Sequence, residues 1–393
     1  MEPFSLYIHI PFCRTKCPYC DFNTYENIEH LTEDYINSLI TELTYWSRYI
    51  DLNSKNKYIK SVFFGGGTPS YISENNISKI MQTIVNNFNL LDEAEISIEC
   101  NPNDLSQEKL LSWENSNINR ISIGAQSFSD KFLRVLGRDH DFIEISQGFI
   151  KARSLGFDNL NLDLIYGIPS QNMDDWKSTI KQALILKPDH ISMYGLTIEK
   201  NTKFDWMVSE GLMPNPDSDV AADMYEYVEK EMNNNGYTHY EISNWSLPGK
   251  ESKHNLTYWY SQEYIGIGAG AHSFYSGLRF WNVNSPNEYI NLLEKNRTIQ
   301  NNTEICKGFC AVSEVEYYDN NTRIADKFIL GLRLVQGINQ SIFTKSFIDL
   351  VSEKYDKEIN ELIHMRLLEI TKDSIKLTRR GRLLANEVFY KFL

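Results

Sequence analysis

Three cysteines, Cys13, Cys17 and Cys20, stand in the run Cys-Arg-Thr-Lys-Cys-Pro-Tyr-Cys, separated by four and three residues. Thiolate sulfur is the soft ligand taken by iron–sulfur clusters and by zinc. Three such ligands can wrap a small inorganic cluster from one side and leave one metal position open. A structural zinc site asks for a fourth Cys or His close by. His9 is near in sequence but falls inside a strand-like segment, Leu6–Ile10. The expectation is a three-cysteine cluster site whose open metal invites a small chelating ligand. A zinc knuckle or incidental cysteines are the bland alternative.

Other polar residues recur at matching places. Gly65-Gly66-Gly67-Thr68-Pro69-Ser70 follows a second strand-like run, and consecutive glycines let a backbone approach a ligand closely. Glu99 precedes Asn101-Pro102, Gln126 and Asp163 fall in or after later runs, and Arg138 lies in Leu-Gly-Arg-Asp-His. Taken singly, each has an ordinary reading as a turn, a solvated carboxylate or a surface charge. Together they fall at successive strand ends, where a βα architecture gathers its functional groups. Farther on, His254-Asn255-Leu-Thr-Tyr258-Trp259 gathers an imidazole, an amide and two flat rings that could serve a ligand. Its bland reading is a hydrogen-bonded histidine with two packed aromatics. Cys306 and Cys310 lack a neighbouring His and read as structural, Cys100 as a small buried side chain, and His272 as a loop residue or a nucleoside contact.

The elements that position these residues alternate. Strands are expected at Leu6–Ile10, Ser61–Phe64, Glu95–Glu99, Arg120–Gly124, Asn159–Ile165 and His190–Leu196. Amphipathic helices are expected at Thr32–Ile50, Glu74–Phe88, Gln107–Trp113, Asp141–Leu155 and Asp174–Leu186. Six βα units make an α/β fold, a partial (β/α)6 barrel two units short of a closed one. The expected division is a barrel core over 1–200, a barrel-completing region over 201–322, and a small α+β domain over 323–393. That last domain reads as helix Leu362–Leu368, strand Ser374–Leu377 and helix Thr378–Phe389, in winged-helix style.

The chain has 393 residues with 39 Lys+Arg and 52 Asp+Glu, a net charge of −13. Such a balance repels a phosphate backbone and argues against nucleic acid as a partner. The segment 323–393 is net +4, too weak to reverse that. No run reaches the roughly 20 apolar residues of a membrane span, and the first residues lack the basic-then-apolar pattern of a signal peptide. The expectation is a cytosolic protein with reduced cysteines.

On these residues the chain resembles the coproporphyrinogen-dehydrogenase-like branch of the radical S-adenosylmethionine superfamily, and within it the heme chaperones. The likeness runs nearly full length. It includes Tyr7-Ile-His-Ile-Pro-Phe with the cysteine triad, Gly65–Ser70, Glu99–Pro102 and Arg120–Ser127. It continues through Asn161–Pro169, Tyr240–Asn244, His254–Trp259, Tyr264–Ser273 and Gly331–Leu334. The resemblance implies a 4Fe-4S cluster on Cys13, Cys17 and Cys20. It also implies an S-adenosylmethionine site lined by Tyr7, Tyr19, Gly66, Gly67, Thr68, Glu99, Gln126, Arg138, Asp163 and Gly195, the spacing before Gly195 differing slightly. The dehydrogenases of the branch carry a further cysteine two places after the triad, where this chain has Phe22. The heme-chaperone pattern has Cys20-Asp21-Phe22 and His254–Trp259, and this chain has both. The resemblance therefore implies heme binding at His254, Asn255, Tyr258 and Trp259 and delivery to an acceptor, a respiratory one; the aromatic-rich surface candidates allow a homodimer. The rival readings are an oxygen-independent coproporphyrinogen III dehydrogenase and a binding module whose cluster is structural. Whether the chain is an enzyme stays open between them.

Overall fold

The computed structural model describes residues 2–53, 57–295, 305, 309–317 and 319–393. Cys306 lies outside them. The chain forms two compact units, 1–221 with 263–316, and 222–262 with 317–393. The region 201–322, read from sequence as one barrel-completing segment, is thus shared between the two.

The first unit is built on six strands: β1 (Glu2–Ile10), β2 (Lys57–Gly66), β3 (Leu90–Cys100), β4 (Arg120–Gln126), β5 (Leu160–Tyr166) and β6 (His190–Gly195). They lie side by side in chain order and all run parallel, as successive βα units in a partial barrel do. Four strands missed in the sequence extend the sheet beyond β1, the outermost being Val312–Tyr317. Tyr264–Ile267 pairs parallel to β1, and His272–Tyr275 and Leu278–Asn282 follow antiparallel.

The intervening helices start where side chains can cap them. Ser73 and Ser106 accept from backbone N–H groups three residues on, and Asp141 with Glu144, and Asn172 with Asp175, form reciprocal capping boxes. Their apolar stripes, including Ile77, Ile80, Ile84, Leu110, Trp113, Phe149 and Trp176, are buried. Alternate strand residues supply the matching sheet face: Leu6, Ile8, Val62, Phe64, Ile98, Ile121, Ile123, Leu160, Leu162 and Ile191 are all fully buried. The residues between them form the opposite face, and it is polar. In register across the strands, Ser5 lies beside Ser61, Ser61 beside Glu95, Ser97 beside Arg120, and Ser122 beside Asn161. Asn161 in turn lies beside His190, and Asp163 beside Ser192. Parallel strands buried on both faces normally read as continuous apolar runs; here one face alternates polar residues instead.

In the second unit, Ser374–Leu377 is the middle strand of a three-stranded antiparallel sheet, between Ile338–Asn339 and Leu368–Ile370. Helices Asn320–Leu332, Lys345–Lys354 and Asp356–His364 pack with it around Phe328, Val351, Leu362, Ile375 and Phe392. The helix expected at Leu362–Leu368 ends earlier. Arg366 turns into the left-handed region at φ 59°, which sends Leu368 into a strand opposite Leu377. The helix expected over Thr378–Phe389 is two short ones, Arg379–Leu383 and Ala385–Phe389, broken at Leu384. Among the described residues no helix is long and apolar enough to cross a membrane.

Candidate functional site

The cysteine loop leaves β1 and doubles back on itself. Tyr25 N–H donates to Pro11 O at 2.8 Å and Cys13 N–H to Tyr25 O at 2.9 Å, closing its neck. Inside, Cys20 N–H reaches Cys17 O at 3.1 Å, and the Lys16 ammonium donates to Phe22 O and Thr24 O, both at 3.2 Å. The loop is held by its own backbone and is strapped to the glycine segment by Gly67 N–H to Ile10 O and Thr68 N–H to Phe12 O, each 2.8 Å.

Each sulfur faces a donor from a different place in the chain. The Thr68 hydroxyl donates to Cys13 Sγ at 3.7 Å, Arg138 Nη1 donates to Cys17 Sγ at 3.4 Å, and Thr24 Oγ1 lies 3.9 Å from Cys20 Sγ. Burial, and after it the charge of the neighbouring cysteines, pushes the Cys13 and Cys20 thiols up, so they need a cation's charge to ionise. Among the described residues no three His, Cys, Asp or Glu side chains converge on one ion position. A cluster takes each thiolate on its own iron, and three soft sulfurs each facing a separate donor suit that arrangement. The donor set fits the cluster.

His9 is not a fourth ligand, because both its nitrogens are engaged. Nε2 lies 2.9 Å from Asn23 O, which can only accept, so that nitrogen carries the proton. Nδ1 then accepts from the Tyr7 hydroxyl at 3.0 Å. Burial drives the His9 pKa down to about 4, which keeps the ring neutral. The glycines serve this packing directly. A side chain on Gly66, whose φ is 115°, would meet the His9 ring at 2.6 Å, and one on Gly67 would meet Phe12 O at 2.7 Å and Cys13 Sγ at 3.0 Å.

The polar rim assembles beside the loop. Glu99 accepts from Gly66 N–H at 3.2 Å, with the Tyr7 ring stacked on Phe63 close by. Burial, then the charge of Asp163, raises the Glu99 carboxyl to about 8. Asp163 accepts from Ser122 Oγ and Asn161 Nδ2, both at 2.9 Å, and burial raises its pKa too. Gln126 ends β4 in the left-handed region at φ 61°, its amide nitrogen close over Gly124. Arg138 holds Cys17 Sγ, Asn101 Oδ1 and, at 3.2 Å, Gly124 O. Tyr19 packs on Phe204 and interacts with Cys17 and Arg138. Gly195 lies exposed at the end of β6 against the Tyr166 ring. Asn23, Thr24 and Asn101 were missed in the sequence, although Asn101 sits in the motif already singled out.

A family model for the radical SAM superfamily matches residues 7–183, and one for the HemN C-terminal domain matches residues 318–384. The chain is 35% identical over 392 residues to "Heme chaperone HemW" of Lactococcus lactis, covering 100% of this chain and 98% of that relative. It is 36% identical over 392 residues to the protein of the same name from Bacillus subtilis, covering 99% of each. The chain belongs to the HemW family. In solved structures, it superposes on coproporphyrinogen III oxidase (HemN) of Escherichia coli with a TM-score of 0.83 at 22% identity, over 100% of this chain and 90% of that one, which shows a shared fold.

In this HemW-family chain the segment named for heme lies in the second unit, on helix Lys253–Trp259. His254 is buried, and its Nε2 lies 2.9 Å from the Tyr258 hydroxyl with the rings edge-on. Asn255 is half-buried, and its N–H meets the helix-capping Ser252. Trp259 packs against the C-terminal core with the Arg333 guanidinium 4.3 Å over its ring. These are the contacts of the bland reading, so heme iron would reach His254 Nε2 only by displacing the Tyr258 hydroxyl. Cys100 and Cys310 are buried thiols, and His272 is exposed and stacks on Trp281.

Proposed function

We propose that this chain is a heme chaperone. It binds heme and hands it to an acceptor protein of the respiratory kind, and carries a 4Fe-4S cluster and S-adenosylmethionine. Cys13, Cys17 and Cys20 hold the cluster, which when loaded supplies one electron to a bound sulfonium. Thr68 and Arg138 orient two of the sulfurs, and Arg138 places a fixed positive charge beside Cys17. Glu99 offers its carboxyl oxygens to ribose hydroxyls. Tyr7, Tyr19, Gly66, Gly67, Gln126, Asp163 and Gly195 complete the nucleoside site. His254, Asn255, Tyr258 and Trp259 receive heme. The reading places the chain in the cytosol and allows a homodimer.

The observation that carries the choice between branches is Phe22. It stands where the dehydrogenases have a further cysteine, and it is 66% exposed, beside a triad whose three sulfurs are already provided with donors. The test is anaerobic reconstitution with iron and sulfide, followed by heme titration and a coproporphyrinogen assay on the same sample. One cluster per chain, near-stoichiometric heme and no protoporphyrinogen with reductant and S-adenosylmethionine are expected. Zinc in place of iron, or cluster-loaded protein with no specific heme spectrum, overturns the reading.

A further inference from the structure

The polar face of the first unit's sheet holds a charge the site above does not use. Arg120 opens β4 and is 2% exposed, yet among the described residues it forms no ion pair and its Nε has no hydrogen-bond partner. Ser97, its neighbour in register on β3, is fully buried, and its hydroxyl is also unpartnered. Burying an unpaired guanidinium is costly, and a fold retains one where something else completes it.

The groups around Arg120 are already committed to one another. Asn161 Nδ2 donates to Ser122 Oγ at 2.6 Å and to Asp163 Oδ1 at 2.9 Å, and His190 Nδ1 donates to Asn161 Oδ1 at 2.6 Å. Ser61 donates to Ser5 at 2.7 Å. The guanidinium influences Glu99, Asp163 and His190 through space without bonding to any of them. Ser97 lies two residues below Glu99, about 7 Å deeper along the strand. The unsatisfied donors are therefore beneath the rim, on its own polar face.

We infer that this face binds a carboxylate, held by the Arg120 guanidinium with the Ser97 hydroxyl as a second donor. A guanidinium fork matches a planar carboxylate in two parallel bonds. A single guanidinium that bonds to neither Glu99 nor Asp163, though they feel its field, suits a monoanion, while a phosphate dianion would want a second cation. A carboxylate on a flexible arm suits the depth, and Phe63 and Tyr7 continue the row of Arg120 and Ser97 across β2 and β1, setting an apolar surface beside it. The propionate arm of a porphyrin has this form, and so does a free short carboxylic acid. The first source rests on the heme reading; the carboxylate site itself does not.

The test uses the full-length, cluster-loaded chain, with Arg120→Gln and Ser97→Ala. Wild type is titrated with propionate alone, with a dipropionate porphyrin and with its dimethyl ester. Wild type should prefer the acid porphyrin over the ester, or be stabilised by propionate alone. Arg120→Gln should lose that preference by roughly tenfold or more, the scale of one charge-assisted hydrogen bond. Ser97→Ala should lose it severalfold. Ligand-free Arg120→Gln should melt higher than wild type, because an unpaired buried charge has gone. A response to propionate alone assigns the site to a small acid, and an acid-over-ester preference assigns it to the porphyrin arm. The inference is overturned by an unaltered carboxylate preference in both variants, by equal losses for acid and ester, or by no carboxylate response in wild type. Those results leave heme binding itself untouched and separately measured.

Discussion

At the scale of single residues, the sulfurs are set by partners far away in sequence. Thr68 comes from the second βα loop and Arg138 from beyond the fourth strand. Groups that hold metal ligands in place are worth about ten- to a hundredfold in metal affinity. Thr68→Val and Arg138→Gln should therefore give up iron to a chelator faster than wild type by about that factor, read from the loss of cluster absorbance. His254 makes a sharper case. With its Nε2 on the Tyr258 hydroxyl, Tyr258→Phe should tighten heme binding and strengthen a histidine-ligated Soret spectrum, while His254→Ala should abolish that spectrum. Tyr258→Phe without effect would place the iron elsewhere. The triad was plain in sequence because its ligands are neighbours along the chain. Asn23 and Thr24 were not, since a short polar side chain in a loop looks the same whether or not it meets a sulfur or a turn. Arg120 escaped for another reason. The alternation Arg-Ile-Ser-Ile-Gly was taken as a strand, but its polar half was not followed to the neighbouring strands, where Ser97, Asn161 and His190 repeat it.

At the scale of elements, six parallel strands were legible from β-branched runs spaced by helical ones, with errors of a few residues at the ends. The strands at 264–282 were not, because Gly-Ile-Gly-Ala-Gly-Ala has no side-chain period to read. What fixes that turn is a carboxylate from helix Thr32–Asn53. Glu42, fully buried, accepts from Gly268 N–H at 2.9 Å, Asn282 Nδ2 at 2.8 Å and the Tyr289 hydroxyl at 2.5 Å. The turn then meets the cysteine loop through Asn23 Nδ2 to Ala269 O at 3.1 Å. Burial raises Glu42 to about 7 against these hydrogen bonds. The folded state thus keeps a proton that the unfolded chain releases near pH 4.5, and the stabilisation present below that pH fades as pH rises through 7. The span is worth roughly 3 kcal/mol. Glu42→Gln should flatten the dependence, because an amide has no proton to lose as pH rises through 7, read as melting temperature against pH. A steeper fall in the variant would contradict it.

At the scale of the whole molecule, the change in charge at residue 323 falls inside the second unit, whose later stretch runs 317–393, and the joining of 222–262 to that stretch left no trace in the sequence. No local pattern announces it, because the joint is made of groups about 150 residues apart. Glu229, on helix Ser218–Asn234, takes Arg382 at 2.6 Å and Arg379 at 2.7 Å, with His239 Nδ1 at 3.5 Å. Backbone bonds reinforce it, Val335 N–H to Tyr240 O at 3.1 Å and Ile242 N–H to Arg333 O at 3.0 Å. Burial would raise the Glu229 carboxyl, but hydrogen bonds and charge from His239 and the two arginines overcome it and hold the group down to about 2. Its contribution is therefore complete above the unfolded value near 4.5 and is lost as pH falls toward 2. Arg379 is half exposed, and solvent screening reduces the effect to about 1–2 kcal/mol. Glu229→Gln should destabilise the second unit by that amount at pH 7 and by nothing at pH 2. Proteolysis at neutral pH should then cut first within 222–262 or 317–393, while iron retention at the cysteine loop stays as in wild type. Loss of iron in step with that cutting would show that the two units do not melt independently.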